Sequence, residues 1–206
     1  MTLIGMSIAS ADEFRHVSLV KLNVVRLSLD GVLLITPRRF EDERGYLAET
    51  YSAEEFSFRG VTATFVQENQ SFSARAGTVR GLHLQVPPAA QAKLVRVVRG
   101  SIFDVAVDLR QGSPAYGRWC GKTLTAAQGE QLFIPRGFAH GFCTLEPETE
   151  VLYKIDSYYA PPSEVGVIWN DPDIDISWPV SSTQAILSDK DKKLPPFRQF
   201  HSPFVL

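Results

Sequence analysis

Lys93-Leu-Val-Arg-Val-Val-Arg-Gly-Ser-Ile-Phe-Asp-Val-Ala-Val-Asp-Leu109 decides the fold class. Two runs rich in β-branched residues flank Gly100-Ser101, whose glycine tolerates the positive φ of a tight turn, so the stretch predicts a β-hairpin. In the second run Phe103, Val105, Val107 and Leu109 share one face while Asp104, Ala106 and Asp108 share the other, the period of two that marks a strand. Outward from this stretch the pattern repeats. Val25, Leu27 and Leu29 alternate, a short apolar run from Val32 to Ile35 ends at Thr36 and Pro37, and further strands are expected at 63–66, 117–124, 130–134, 141–145, 151–158 and 166–169. Turn clusters such as Gln111-Gly-Ser-Pro and Glu146-Pro-Glu separate them at the spacing of a sandwich or barrel. Only residues 52–58 and a stretch near 188–192 read as short helices. The expectation is an all-β, mostly antiparallel domain over residues 22–206, preceded by an extension over residues 1–21.

Among the 206 residues, Lys and Arg number 21 against 23 Asp and Glu, a formal charge of −2. No fold-wide basic surface is available for nucleic acid or an anionic membrane, so an anionic ligand must be met by a local cluster. The N-terminal Met1-Thr-Leu-Ile-Gly-Met-Ser-Ile lacks the basic region and unbroken apolar run of a signal peptide. No stretch approaches the roughly 18–20 apolar residues that span a bilayer. The two cysteines, Cys120 and Cys143, have neither disulfide-framework nor metal-type spacing. These features point to a cytoplasmic protein with no membrane or nucleic-acid partner.

Two glycine-framed patterns carry chemistry. Gly77, His83 and Gln85, with Lys93 counted back from Gly100, follow the skeleton of the first cupin motif; Gly129, Pro135-Arg-Gly and His140 follow that of the second. Their order resembles a cupin-type jelly roll, an antiparallel β-sandwich or barrel. Metal-binding cupins would place His at the position of Gln85 and Glu at that of Lys93. An ammonium group adds positive charge where a divalent cation needs carboxylate and neutral imidazole, so a site without metal or other cofactor is expected. An imidazole beside an ammonium group suits deprotonation of a carbon acid next to a carbonyl, with the Lys stabilising the oxyanion that forms.

Longer segments carry a closer resemblance: Phe40-Glu-Asp-Glu-Arg-Gly-Tyr, Phe65-Val-Gln-Glu-Asn-Gln-Ser, Arg80-Gly-Leu-His-Leu-Gln, Ile134-Pro-Arg-Gly-Phe-Ala-His-Gly-Phe, Leu152-Tyr-Lys and Ile168-Trp-Asn-Asp-Pro. In this order they resemble the dTDP-4-dehydrorhamnose 3,5-epimerases, metal-free cupins of nucleotide-sugar metabolism. The resemblance implies that His83 takes the proton α to a C4 keto group and that Asp191 orients it, with Asp189 an alternative two positions away. It also implies that Lys93 stabilises the enolate, that His140 bonds the sugar and that Tyr153 returns a proton from the opposite face. Arg44 and Arg80 match diphosphate-binding positions. Glu49, Gln67, Asn69, Glu164 and Lys190 match other substrate contacts, and Tyr159 a residue stacked on thymine. The run Gln67-Glu-Asn-Gln70 departs from the family, which often has His after the Asn. The implied partners are a dTDP-sugar and a second copy of the chain, a homodimer in which residues 22–29 cross the interface; an edge strand of the monomer is the equal local reading.

Plainer readings stand beside these. Taken singly, His83 or His140 would be a core histidine, Lys93 a solvated strand residue, Arg44 and Arg80 surface charges, and the tyrosines packing groups. Other functions to be separated are a mono-epimerase of antibiotic-sugar synthesis, a metal-dependent cupin and a non-catalytic sugar-binding cupin.

Overall fold

The computed structural model describes residues 21–206, so the extension expected at 1–21 lies, but for Lys21, outside the described residues. The strands are β1 (Leu22–Arg26), β2 (Leu33–Pro37), β3 (Arg39–Asp42), β4 (Gly45–Ala48), β5 (Gln67–Ser73), β6 (Val79–Gln85) and β7 (Lys93–Arg99). They continue with β8 (Ser101–Asp108), β9 (Trp119–Thr125), β10 (Gln131–Ile134), β11 (Phe138–Thr144), β12 (Thr149–Ile155) and β13 (Glu164–Gly166). Six of them form one sheet in the order β1-β2-β10-β7-β12-β5, five form another in the order β13-β6-β11-β8-β9, and β3 pairs with β4. The ladders are antiparallel. This is the all-β, cupin-type jelly roll that the two motifs resemble.

The hairpin expected at 93–109 does not form. β7 lies between β10 and β12 in the six-stranded sheet, whereas β8 lies between β11 and β9 in the other. Gly100 is a corner between sheets: its φ is +78°, and a Cβ there would collide with the Thr149 side chain. The reason lies in burial. Val95 and Val97 of β7 meet Ile102 and Ala106 of β8 across the core between the sheets, while Val105 and Val107 bury the other face of β8. Strands buried on both faces gain more by facing each other than by lying side by side, and alternation alone does not distinguish the two.

Each sheet also has an outer cover. Phe56 packs with Leu33, Ile35, Leu94 and Phe133 on the six-stranded sheet. It stands on α1 (Ala53–Phe58), whose N-cap Ser52 accepts a bond from Glu55 N, the start of a capping box. Ile174, Ile176, Trp178, Phe197, Phe200 and Phe204 cover β8 and β6 of the other sheet. Burying an apolar side chain of this size stabilises by about 1.5–3 kcal/mol, so the C-terminal stretch is a layer of the fold. Three local expectations shift: residues 63–66 form no strand, the helix near 188–192 is one 3-10 turn at Asp191–Lys193, and the strand expected at 166–169 is instead β13, which ends at Gly166. β1 pairs with β2 as an edge strand of its own chain. No described helix is long and apolar enough to cross a membrane.

Candidate active site

A cavity of about 570 Å³ lies among residues of both sheets, a volume in the range of small-ligand sites. β6 and β11 of the five-stranded sheet supply Arg80, His83 and His140; β5, β7 and β12 of the six-stranded sheet supply Asn69, Lys93 and Tyr153. The two cupin motifs therefore meet in one chamber.

His83 and His140 stand directly opposite each other on β6 and β11. Beyond them the register slips, so that Phe142 faces Arg80, and Gly81 and Leu82 together oppose Gly141. Side chains three apart in a regular strand leave opposite faces, yet Arg80 and His83 both line the cavity. The extra residue of the bulge re-aims Arg80. Glycine is required there: φ of Gly81 is +133°, and a Cβ would lie 2.5 Å from the Cα of Gly141.

His83 Nε2 lies 2.7 Å from Asp191 Oδ1. Burial alone would raise the Asp191 carboxyl, but bonds from His83, the Gly81 N–H and Ser188 outweigh it and hold the carboxyl below its ordinary value. An ionised carboxylate only accepts, so Nε2 carries a ring proton, and in the neutral imidazole the basic lone pair is then on Nδ1. Asp189, the alternative, is exposed and pairs with Lys192.

Lys93 points inward. Its Nζ is 3.5 Å from the His83 carbonyl oxygen, and burial lowers its pKa to about 8 against the opposing pull of Asp104 and Glu164. Asp104 is fully buried on β8, with Oδ1 2.6 Å from His140 Nε2 and Oδ2 buried without a partner among the described residues. Burial, together with Lys93 and His83, lowers the His140 pKa, while Asp104 raises it; the net shift is downward. Sequence reasoning assigned Asp104 no role. A signal was present, because an acid in the middle of an otherwise apolar strand needs a buried partner.

Tyr153 faces Asn69 across β12 and β5. Burial raises its pKa, so the phenol keeps its proton at neutral pH. At the cavity edge Tyr159 Oη donates to Glu164 Oε2 at 2.7 Å, and Glu164 also pairs with Lys190. Gln67 bonds Asn69 and accepts from the Tyr159 N–H.

Gln85 lines the cavity, but its amide is a staple for the neighbouring loop: it donates to the carbonyls of Ala89 and Tyr158 and accepts from the Ala160 N–H. No group of three His, Cys, Asp or Glu side chains suited to a metal gathers among the described residues. Two expected substrate contacts are not brought to the cavity of their own chain. Arg44 closes its guanidinium on Asp42 in the exposed β3–β4 turn, and Glu49 pairs at the surface with Lys21. Both belong to or follow a hairpin that pairs only with itself, so nothing in the fold turns them inward.

Fold and chamber define a jelly-roll enzyme whose ligand site is furnished with imidazole, ammonium and phenol. Residues 26–199 match the sequence profile described as dTDP-4-dehydrorhamnose 3,5-epimerase, and the chain belongs to that family. Its relatives include the dTDP-4-dehydrorhamnose 3,5-epimerase of Sinorhizobium fredii, 48% identical over 169 residues, which are 82% of this chain and 86% of the relative. Among solved structures, the Bacillus anthracis dTDP-4-dehydrorhamnose 3,5-epimerase with TDP and PPi bound has TM-score 0.82 and 49% identity, covering 85% of this chain and 99% of that one. The Legionella pneumophila dTDP-6-deoxy-D-glucose-3,5-epimerase in complex with dTDP-4-keto-L-rhamnose has TM-score 0.82 and 39% identity, covering 87% and 95%. The chain is thus an epimerase acting on nucleotide-linked sugars.

Proposed function

We propose that the enzyme inverts C3 and C5 of dTDP-4-dehydro-6-deoxy-D-glucose to give dTDP-4-dehydro-L-rhamnose, on the route to dTDP-L-rhamnose, with no metal or cofactor. The observation that carries this reading is that His83 and Tyr153 stand on different sheets of one chamber. At each centre His83, oriented by Asp191, takes the proton α to the C4 carbonyl. The C–H electron pair moves into an enolate whose oxygen Lys93 stabilises, with His140 bonding the sugar beside it. Tyr153 then gives its proton to the opposite face of the same carbon, which inverts it; solvent restores both groups to their starting protonation. Arg80 binds the diphosphate through its guanidinium fork, Tyr159 stacks on the thymine, and Gln67, Asn69, Glu164 and Lys190 contact the nucleotide sugar.

The reaction in deuterium oxide, followed by NMR, tests this. Deuterium should appear at C3 and C5 with inversion at both, and chelator treatment should leave the rate unchanged; exchange at neither carbon overturns the reading.

The working unit in this proposal is a cytoplasmic homodimer, with residues 22–206 as its single domain. Arg44 and Glu49 then reach the cavity of the partner copy as further substrate contacts. Supporting this, the neighbouring Leu47 is 75% exposed and Phe58 81% exposed, a combination that a lone chain would leave against water. The two cysteines are unpaired, as a reducing compartment requires. Sedimentation showing a monomer at working concentration would refute the dimer.

A further inference from the structure

β5 is exposed at Glu68, Gln70 and Phe72 and turns Gln67, Asn69, Ser71 and Ser73 inward. An inward strand face is ordinarily apolar, so this row of amides and hydroxyls suits a polar occupant. Most of the row already has protein partners. Gln67 holds Asn69 and the Tyr159 N–H, and Ser73 Oγ accepts from Arg80 Nε at 3.3 Å. Ser71 is different. Its Oγ is buried, has no hydrogen-bond partner among the described residues, and lines the cavity. A hydroxyl in that condition carries a desolvation cost that a bound ligand can offset.

Its neighbours indicate which part of a ligand it would meet. Arg80 reaches over the end of β5, donating through Nη2 to the Phe72 carbonyl at 2.9 Å as well as to Ser73. In the inward row Ser71 stands between Asn69 and Ser73, the residue that accepts from that guanidinium, and Ser71 and Arg80 line the same cavity. We propose that the Ser71 hydroxyl is a further substrate-binding group, donating a hydrogen bond to an anionic oxygen of the nucleotide diphosphate held beside Arg80. This rests on the nucleotide-sugar reading given above.

Calorimetric titration with dTDP, and ligand-observed NMR with uncharged thymidine, test the assignment on the wild type and on Ser71→Ala and Ser71→Thr. A lost hydrogen bond to a charged oxygen should weaken dTDP binding by Ser71→Ala roughly tenfold or more. Thymidine affinity should stay within about twofold, since the base and ribose do not touch the hydroxyl. Ser71→Thr keeps the donor and should bind dTDP within about threefold of wild type. Equal dTDP affinity in the wild type and Ser71→Ala overturns the Ser71 assignment while leaving the nucleotide-sugar reading intact. Equal losses for dTDP and thymidine, or equal losses in both variants, trace the effect to packing and overturn it too. A wild type that does not bind dTDP overturns both.

Discussion

His83 Nε2 and Asp191 Oδ1 lie 2.7 Å apart although 108 positions of chain separate their residues. One comes from β6, the other from a 3-10 turn of the C-terminal stretch that also covers the outer face of the same sheet. The base and the orienting carboxylate proposed above are thus brought together by the C-terminal stretch.

His83→Asn should abolish deuterium incorporation at C3 and C5 yet leave dTDP affinity within about threefold, because the imidazole is proposed to move a proton rather than hold the nucleotide. Asp191→Asn should lower kcat by about 10²–10⁴ with little change in KM, since an amide cannot enforce the same ring tautomer. An Asp191→Asn enzyme with wild-type kcat would remove the carboxylate from the mechanism.

Tyr153→Phe removes the group proposed to reprotonate the opposite face. Deuterium should still wash into the recovered substrate while the inverted product falls by about 10²-fold or more. Loss of exchange together with loss of product would instead place Tyr153 at the proton-removal step.

Lys93 must be charged to stabilise an enolate, and burial brings its pKa down to about 8. Activity should therefore fall as pH rises through about 8. The Tyr153 phenol, whose pKa burial raises, still holds its proton there, so the limb reports the lysine. A profile flat to pH 10 would contradict this assignment.

The same burial has a stability consequence of definite sign. With the folded-state pKa lowered from 10.5 to about 8, the unfolded chain binds more protons between those values, so this group makes stability rise with pH across that window. Below pH 8 the folded state carries the full cost, about 3 kcal/mol at 1.36 kcal/mol per unit. Lys93→Met should then be inactive but more resistant to urea at pH 7, by up to that amount; a less stable variant would show that the ammonium group is better compensated by Asp104 than its lowered pKa implies.

Gly81→Ala places a Cβ against the Gly141 backbone at a positive φ. The bulge should shift or straighten, turning Arg80 out of the cavity, and KM should rise about tenfold or more as the diphosphate contact proposed for Arg80 is lost. Unchanged kinetics in a folded variant would show that the bulge does not position Arg80.

Strand content was legible because alternation is a local property: Phe103, Val105 and Val107 do share a buried face. So was the short helix expected at 52–58, which is α1 at Ala53–Phe58. His83, Lys93 and His140 were legible through glycine-framed motifs, since each glycine marks a turn whose geometry a short segment sets by itself. Gly100 shows the limit: its positive φ is local, but whether the chain doubles back beside itself or crosses to the other sheet depends on what lies above and below.

By itself, then, the sequence determined that the chain would be built of strands, that its cupin positions would present Gln85 and Lys93 in place of His and Glu, and that two histidines would sit at corresponding positions of the two glycine-framed motifs. Tertiary structure alone decided that Lys93 points into the chamber, that Asp191 rather than Asp189 meets His83, that Asp104 lies under His140, and that Arg44 and Glu49 stay away from their own cavity. The physical reason is that backbone period and turn propensity act over a few residues, whereas desolvation and ion pairing depend on which distant segments exclude water from the same few cubic ångströms.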